Sequence, residues 1–298
     1  MLIGAIDIGT NSTRYLLADV DPESGVRRIE TALKTTRLGE DITSGRLTEQ
    51  AMARTAAAVA EFWRRAQGMR AQEIRAVATS AVREASNRED FLVLVHQTTG
   101  LEVQVLSGSE EAYYTFIGVM TGLKVEREKT VVVDIGGGST ELIWVENGRF
   151  LLRSLPLGAV RLTEEGRGAS EAEVLLKPFT GFISGRRIIG TGGTITTLAA
   201  ISQGMESYDP VKIHGYQLKA EEAAALTVKL AGLSLADRMK IPGLQPERAD
   251  IIVAGAGILM ALLNLTGAAG ITVSENDILY GVALNAVGGV EIKLPDGC

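Results

Sequence analysis

The sequence predicts a two-domain α/β protein in which both domains share one plan, and three observations predict it. The first is an internal repeat. Ala5-Ile6-Asp7-Ile8-Gly9-Thr10-Asn11-Ser12-Thr13 is answered 127 residues later by Val132-Val133-Asp134-Ile135-Gly136-Gly137-Gly138-Ser139-Thr140, with Asp, Ile, Gly, Ser and Thr at the same offsets. The second is that strand-like and helix-like patterns alternate behind each copy, which favours mixed α/β layers. The third is length, since 298 residues suffice for two domains of ordinary size. A repeat this long is no solenoid unit.

Each copy is an apolar run, a tight Gly/Ser/Thr/Asn turn and a second apolar run, the pattern of a β-hairpin. Residues 1–36 read as three strands. An alanine-rich helix spans 48–70 with Thr48 as its N-cap, followed by a strand at 73–79, a helix at 87–98 and a strand at 102–106. A helix from 110 to about 121 leads to the second hairpin at Val131. Strands at 139–146 and 149–155 follow, then helices near 157–166 and 170–180. A strand at 187–189 leads into a turn at Gly190 and a helix to about Ser202. The remainder is mostly helical, interrupted at Pro242-Gly243 and Pro246, until a strand at 271–274 and a last helix from about Glu275 to Val287. Between Ile251 and Ser274 there is no charge, a length that could span a bilayer. Gly255, Gly257, Asn264, Gly267 and Gly270 interrupt it, so a buried helix to about Leu265, a glycine turn and a short strand are expected instead.

Composition removes several chemistries. With 46% hydrophobic and 22% charged residues, the chain falls among soluble globular proteins. Its net charge of −6 is shared evenly, with 13 Lys and Arg against 16 Asp and Glu in the first 122 residues. Neither half is a basic arm, so a generic nucleic-acid coat, which depends on Lys and Arg at phosphates, is not expected. The one cysteine, Cys298, permits no internal disulfide, and two histidines, His96 and His214, cannot build a multi-His metal cage. No G-x-S-x-G elbow accompanies them. The start of the chain has no basic leader, so a cytoplasmic location, with no membrane partner, is expected. Any hydrolysis is expected to run on carboxylates and a hard metal.

The repeated turn suggests what is bound. Successive N–H groups in a Gly-rich turn form an anion nest, and Ser and Thr hydroxyls add donors. The Asp ahead of each turn would repel a bare phosphate, a conflict that Mg²⁺ resolves because it takes one or two carboxylates together with waters and phosphate oxygens. Two such hairpins would grip a phosphate chain from both sides. Taken singly, each could equally be a plain hairpin.

At this point the residues resemble a known family. Paired hairpins of this kind are similar to those of the actin, hexokinase and Hsp70 superfamily, two ribonuclease-H-like domains with a phosphate cleft between them. Within it the chain resembles the Ppx/GppA family of exopolyphosphatases and guanosine pentaphosphate phosphohydrolases. The matching segments are the two hairpins, Ala78-Thr79-Ser80-Ala81-Val82-Arg83-Glu84-Ala85, and Leu106-Ser107-Gly108-Ser109-Glu110-Glu111-Ala112. They continue with Pro156-Leu157-Gly158-Ala159-Val160-Arg161-Leu162, Gly190-Thr191-Gly192-Gly193-Thr194 and Arg248-Ala249-Asp250. The resemblance spans almost the whole chain and fits the short members that lack extra C-terminal helices. It implies a last helix that returns to the first domain and hence a discontinuous boundary, set at 1–122 plus about 286–298 for the first domain and 123–285 for the second, and a homodimer at family level.

The resemblance also implies roles. Glu111 becomes the catalytic base, although a carboxylate early in a helix also serves exposed N–H groups. Asp134 and Glu141 become Mg²⁺ ligands, with Asp7 their counterpart in the first copy; Glu141 could instead be an exposed strand residue. Gly137, Gly138, Ser139 and Thr140 would hold phosphate oxygens from one side, and Thr10, Asn11 and Ser12 from the other. Arg83 and Arg248 supply guanidinium groups, with Arg161 a weaker candidate. Gly192, Gly193 and Thr194 precede a helix, where anions bind readily, though a simple helix start is equally plausible. Two departures stand out. Thr10 replaces the family serine, and Tyr280 is read in place of the arginine of a Leu-Arg-x-Gly motif.

The expected activity is Mg²⁺-dependent release of the terminal phosphate of inorganic polyphosphate, with guanosine pentaphosphate (pppGpp) as the alternative substrate. A kinase or ATPase of the superfamily, or a non-catalytic regulator that binds phosphate chains, are the readings from other classes.

Overall fold

The computed structural model describes residues 1–23 and 25–288. Cys298 and the expected segment beyond residue 288 lie outside the described residues. The chain divides into two compact units, Met1–Gly122 together with the segment from Asn276, and Leu123–Glu275.

In the first unit, β1 (Leu2–Ile8), β2 (Ser12–Asp21) and β3 (Gly25–Thr35) form an antiparallel meander. Beside β1 lie β4 (Glu73–Ala78) and β5 (Val103–Val105), both parallel, giving the sheet order β3-β2-β1-β4-β5. Ile6, Ile8, Tyr15 and Leu17 are fully buried in one cluster with Phe62 of the helix Glu49–Gly68 and Phe91 and Val95 of the helix Arg88–Thr99. Tyr15 stacks on Phe62 with ring centroids 5.4 Å apart. Thr48 caps the long helix by accepting the Ala51 N–H at 3.1 Å. Thr48→Ala should therefore cost about 1 kcal/mol in chemical denaturation; an unchanged unfolding midpoint would show the cap to be idle.

The second unit repeats this order and extends it. β6 (Thr130–Ile135), β7 (Thr140–Glu146) and β8 (Arg149–Leu155) form its meander. Next to β6 come β9 (Arg187–Thr191), β10 (Gln217–Lys219) and β11 (Gly270–Val273), in the order β10-β11-β9-β6-β7-β8. The charge-free stretch is the helix Ile252–Thr266, ended by Gly267 at φ +64, then β11. Most of the helix is buried against the sheet and neighbouring helices. Among the described residues no helix is long and apolar enough to cross a membrane.

Some boundaries differ from expectation, each for a local reason. β9 runs through Gly190 rather than turning there: a Cβ at this glycine would lie 2.6 Å from Ile195 Cδ1 and 2.8 Å from Ile271 Cδ1, so the glycine makes room for side chains above the strand. The turn falls instead at Gly192, whose φ of +90 suits glycine. The expected helix at 170–180 is Ala169–Leu176, a 3₁₀ turn and Thr180–Ile183. Two short elements were not anticipated, the helix Ser80–Glu84 and β10. The last helix is Ile278–Ala286 and lies in the first unit, as the resemblance implies, so the boundary falls at 275/276 rather than near 286. It packs on the helix Gly108–Gly122 through glycines on both partners. A Cβ on Gly281 would overlap the Tyr114 carbonyl, and one on Gly118 would overlap the Asp277 carbonyl.

Candidate active site

The first hairpin joins β1 to β2 through a turn in which Gly9 N–H donates to Ser12 O at 3.1 Å. Thr10, Asn11 and Ser12 are all buried, as is Thr13 behind them. The chain leaving β3 folds back on the turn: Arg37 N–H donates to Asn11 O at 2.9 Å and Gly39 N–H to Thr10 O at 2.8 Å. Register pairs Asp7 with Arg14 across the strands. Arg14 Nε donates to Asp7 Oδ2 at 2.9 Å, and its Nη1 pairs with Asp277. The other oxygen, Asp7 Oδ1, is buried with no hydrogen-bond partner. Burial raises the Asp7 pKa above the ordinary carboxylate value, against the opposing pull of Arg14.

Glu111 sits in the first turn of the helix Gly108–Gly122 and is buried. The capping task that could have explained a carboxylate there falls to its neighbour. Glu110 Oε2 accepts the Ser107 N–H at 2.8 Å while Ser107 Oγ accepts the Glu110 N–H at 3.2 Å, a reciprocal capping box. Glu111 instead accepts Arg83 Nη1 at 2.8 Å, and the same nitrogen donates to Leu106 O at 2.9 Å. Arg83, expected at phosphate, is thus directed at Glu111 by the unanticipated helix Ser80–Glu84. Burial pushes the Glu111 pKa up to about 7, although Arg83 acts to lower it. A buried carboxyl poised near neutrality is suited to exchanging protons with water.

The second hairpin has the same frame. Gly136 N–H donates to Ser139 O at 3.0 Å, and Ser139 and Thr140 are buried. The chain after β8 again folds back: Ala159 N–H meets Gly136 O at 3.0 Å and Val160 N–H meets Gly137 O at 2.9 Å. Here Gly158 occupies the place of Gly39, and a Cβ on it would overlap the backbone of Gly137 and Gly138. Register pairs Asp134 with Glu141, so the position of Arg14 is now a second carboxylate. Glu141 is 1% exposed, not a surface residue, and its Oε1 accepts the Ser154 hydroxyl at 2.7 Å. Asp134 Oδ1 lies against Gly192 so closely that a Cβ there would collide with it. The helix Gly193–Ser202 starts beyond that turn, with Thr194 buried. Arg248 is buried with its guanidinium directly over Gly193, and its Nε donates to Gln245 Oε1 at 3.0 Å. Asp134, Glu141, Gly192, Gly193 and Arg248 therefore belong to one neighbourhood of the second unit's sheet. Arg161 Nε donates to Gly138 O at 2.8 Å, which makes it a prop for the turn.

Comparison with known proteins places the chain in a family. The family model described as the Ppx/GppA phosphatase family matches residues 16–287. The chain belongs to the Ppx/GppA phosphatase family. It is 34% identical to "Exopolyphosphatase 2" of Mycobacterium tuberculosis over 316 aligned residues, covering 96% of this chain and 98% of that protein. The solved structure of the Aquifex aeolicus Ppx/GppA family member is 32% identical with a TM-score of 0.79, covering 96% and 97% of the two chains. That of an exopolyphosphatase from Cytophaga hutchinsonii is 27% identical with a TM-score of 0.88, covering 98% and 99%. The fold is accordingly the two-domain, ribonuclease-H-like fold of the actin superfamily.

Within this Ppx/GppA chain, whether Mg²⁺ fits is decided by the carboxylates. Among the described residues no group of three or more His, Cys, Asp or Glu side chains is gathered to hold a metal. An all-protein cage is thus absent there, yet Mg²⁺ ordinarily needs only one or two carboxylates plus waters and phosphate oxygens. In the second unit the cross-strand pair Asp134 and Glu141 meets that lesser demand; in the first unit Asp7 keeps one oxygen, Oδ1, without a hydrogen bond. The family motif Leu-Arg-x-Gly, counted back from Gly281, places its arginine at Leu279 rather than at Tyr280. Neither leucine nor tyrosine carries a positive charge, so no cation is supplied here, and both are buried in the first unit. Sequence reasoning also missed Arg14 as a partner of Asp7, and Tyr208, whose hydroxyl donates to Glu275.

Proposed function

We propose that this Ppx/GppA phosphatase releases the terminal phosphate of inorganic polyphosphate by in-line attack of water, and that Glu111 positions the water. The observation that carries the reading is the buried Glu111 carboxyl held by Arg83, with its pKa near 7 and no capping duty. In its ionised form Glu111 accepts a proton from the attacking water, while Arg83 fixes the direction of the carboxylate. Thr10, Asn11 and Ser12, and in the second unit Gly137 to Thr140 with Gly192 to Thr194, present N–H and hydroxyl donors to phosphate oxygens. Arg248 adds a guanidinium above the Gly193 turn. Asp134 and Glu141 of the second unit would hold Mg²⁺, which when bound neutralises developing charge on the phosphoryl oxygens, and Asp7 is their counterpart in the first unit. The name of the M. tuberculosis relative supports polyphosphate as substrate.

The test is phosphate release from polyphosphate by the purified chain with no acceptor present, run beside pppGpp at the same concentrations. Release from polyphosphate supports the reading, faster release from pppGpp would replace the substrate, and transfer only to an added acceptor would make the protein a kinase. Asp134→Asn and Glu141→Gln should each raise the Mg²⁺ concentration for half-maximal rate at least about tenfold. Isothermal titration of Mg²⁺ into each variant, unaltered from wild type, would remove these residues from the metal site.

A further inference from the structure

Asp277 joins three elements of the first unit. Its Oδ1 accepts the Leu279 N–H at 3.0 Å and caps the helix Ile278–Ala286. Its Oδ2 pairs with Arg14 Nη1, and Arg14 turns its Nε to Asp7 Oδ2 at 2.9 Å. Its backbone carbonyl lies in the glycine-lined crossing against Gly118, on the helix that carries Glu111. The preceding residue fastens the same helix again, Asn276 Nδ2 donating to Thr121 Oγ1 at 3.0 Å.

The ion-pair chain is largely withdrawn from water, with side chains 4% exposed at Asp7, 9% at Asp277 and 24% at Arg14. In such surroundings removing one partner leaves a charge uncompensated, and the remaining groups reorient or take up water. Arg14 spends two nitrogens on Asp7 Oδ2, which ties that oxygen down, while the buried Oδ1 makes no hydrogen bond. Asp277 holds the third nitrogen, so Arg14 cannot swing between the two oxygens without breaking that contact.

We propose that Asp277 is a positioning residue for the phosphatase reaction: acting through Arg14 it orients the Asp7 carboxylate, and through the helix crossing it fixes Asp7 relative to the helix of Glu111. The inference rests on the reading of Asp7 and Glu111 as parts of the phosphate-cleaving site. Asp277 itself touches no reacting atom.

Asp277→Asn isolates the effect, because asparagine keeps the size and caps helices as well as aspartate does but cannot hold the ion pair. The full chain is assayed for phosphate release from polyphosphate, with kcat and KM separated and thermal unfolding recorded on the same preparations. The expected result is a kcat reduced about tenfold, as for other residues that orient a functional carboxylate, with KM and unfolding temperature little moved. Combining Asp277→Asn with Arg14→Gln should produce a variant no slower than the slower single variant, because both act on one chain of contacts. A wild-type kcat in Asp277→Asn, losses that multiply in the double variant, or a loss matched by a smaller folded fraction would each overturn the proposal. If instead the wild-type chain releases no phosphate, or Glu111→Gln is as fast as wild type, the functional reading itself fails and the inference falls with it.

Discussion

Glu111→Gln is expected to lower kcat for phosphate release by about 10²–10⁴-fold, the usual contribution of a positioned proton acceptor, while leaving polyphosphate binding intact. The amide keeps the size of the side chain and can still meet Arg83, but it takes no proton from water. The same site predicts the pH dependence. In the wild-type chain only the ionised carboxyl accepts the proton, so kcat/KM should rise with pH through about 7, the value to which burial pushes Glu111. Stability should run the other way. A carboxyl whose pKa is raised on folding stays protonated in the native chain while the unfolded chain has already released its proton. Above the ordinary carboxylate pKa of 4.5 the native state therefore loses stability as pH rises towards about 7, and the loss is complete above it. Glu111→Gln removes that term, so its unfolding temperature relative to wild type should climb across this interval. A relative stability independent of pH would show that Glu111 titrates normally, and a retained kcat would remove it from the chemistry.

Gly118→Ala is expected to destabilise the first unit by about 1–3 kcal/mol, the typical penalty of overpacking. In an isolated helix the same change is favourable by up to about 1 kcal/mol, so the sign itself is diagnostic. The added methyl would overlap the Asp277 carbonyl, a backbone atom fixed by the helix it precedes, which no side-chain rotation can clear. Gly68→Ala is the matched control, because a Cβ at that helical glycine meets nothing within 4 Å. Urea unfolding of the two variants measures the contrast, and equal midpoints would show that the two helices do not pass as closely as described.

Where the chain's own chemistry repeats over a long enough stretch, the sequence was a sufficient guide. The doubled Asp-Ile-Gly segment announced two meanders, and both are present with the same strand order. Thr48 announced its helix because capping is local, and the glycines at 267 and 270 correctly broke the charge-free stretch. What escaped notice depends on distance along the chain. The helix Ser80–Glu84 has five residues, too few to show a period, and it is this helix that directs Arg83 at Glu111. The strand β10, with three residues, is invisible for the same reason. That the last helix returns to the first unit followed from the resemblance, but the close crossing at Gly118 and Gly281 that seats it joins positions far apart in the chain, and nothing near 276 marks the boundary. Arg14 was a different kind of miss. It follows Asp7 by the same seven positions that separate Glu141 from Asp134, so the ion pair was available from the repeat itself. Asp277, just ahead of an apolar run, has the pattern of an N-cap, and the helix starts there rather than at about Glu275.

That substitution within the repeat has an outcome of its own. Two copies of one turn, each closed by a Gly N–H donating to a Ser carbonyl, differ at the position that faces the aspartate, arginine in one and glutamate in the other. The earlier frame sets a guanidinium opposite its aspartate, whereas the later one sets acid opposite acid, the arrangement on which the proposed cation site rests. One backbone shape therefore carries opposite charge beside its aspartate in the two units, so neither turn could stand in for the other.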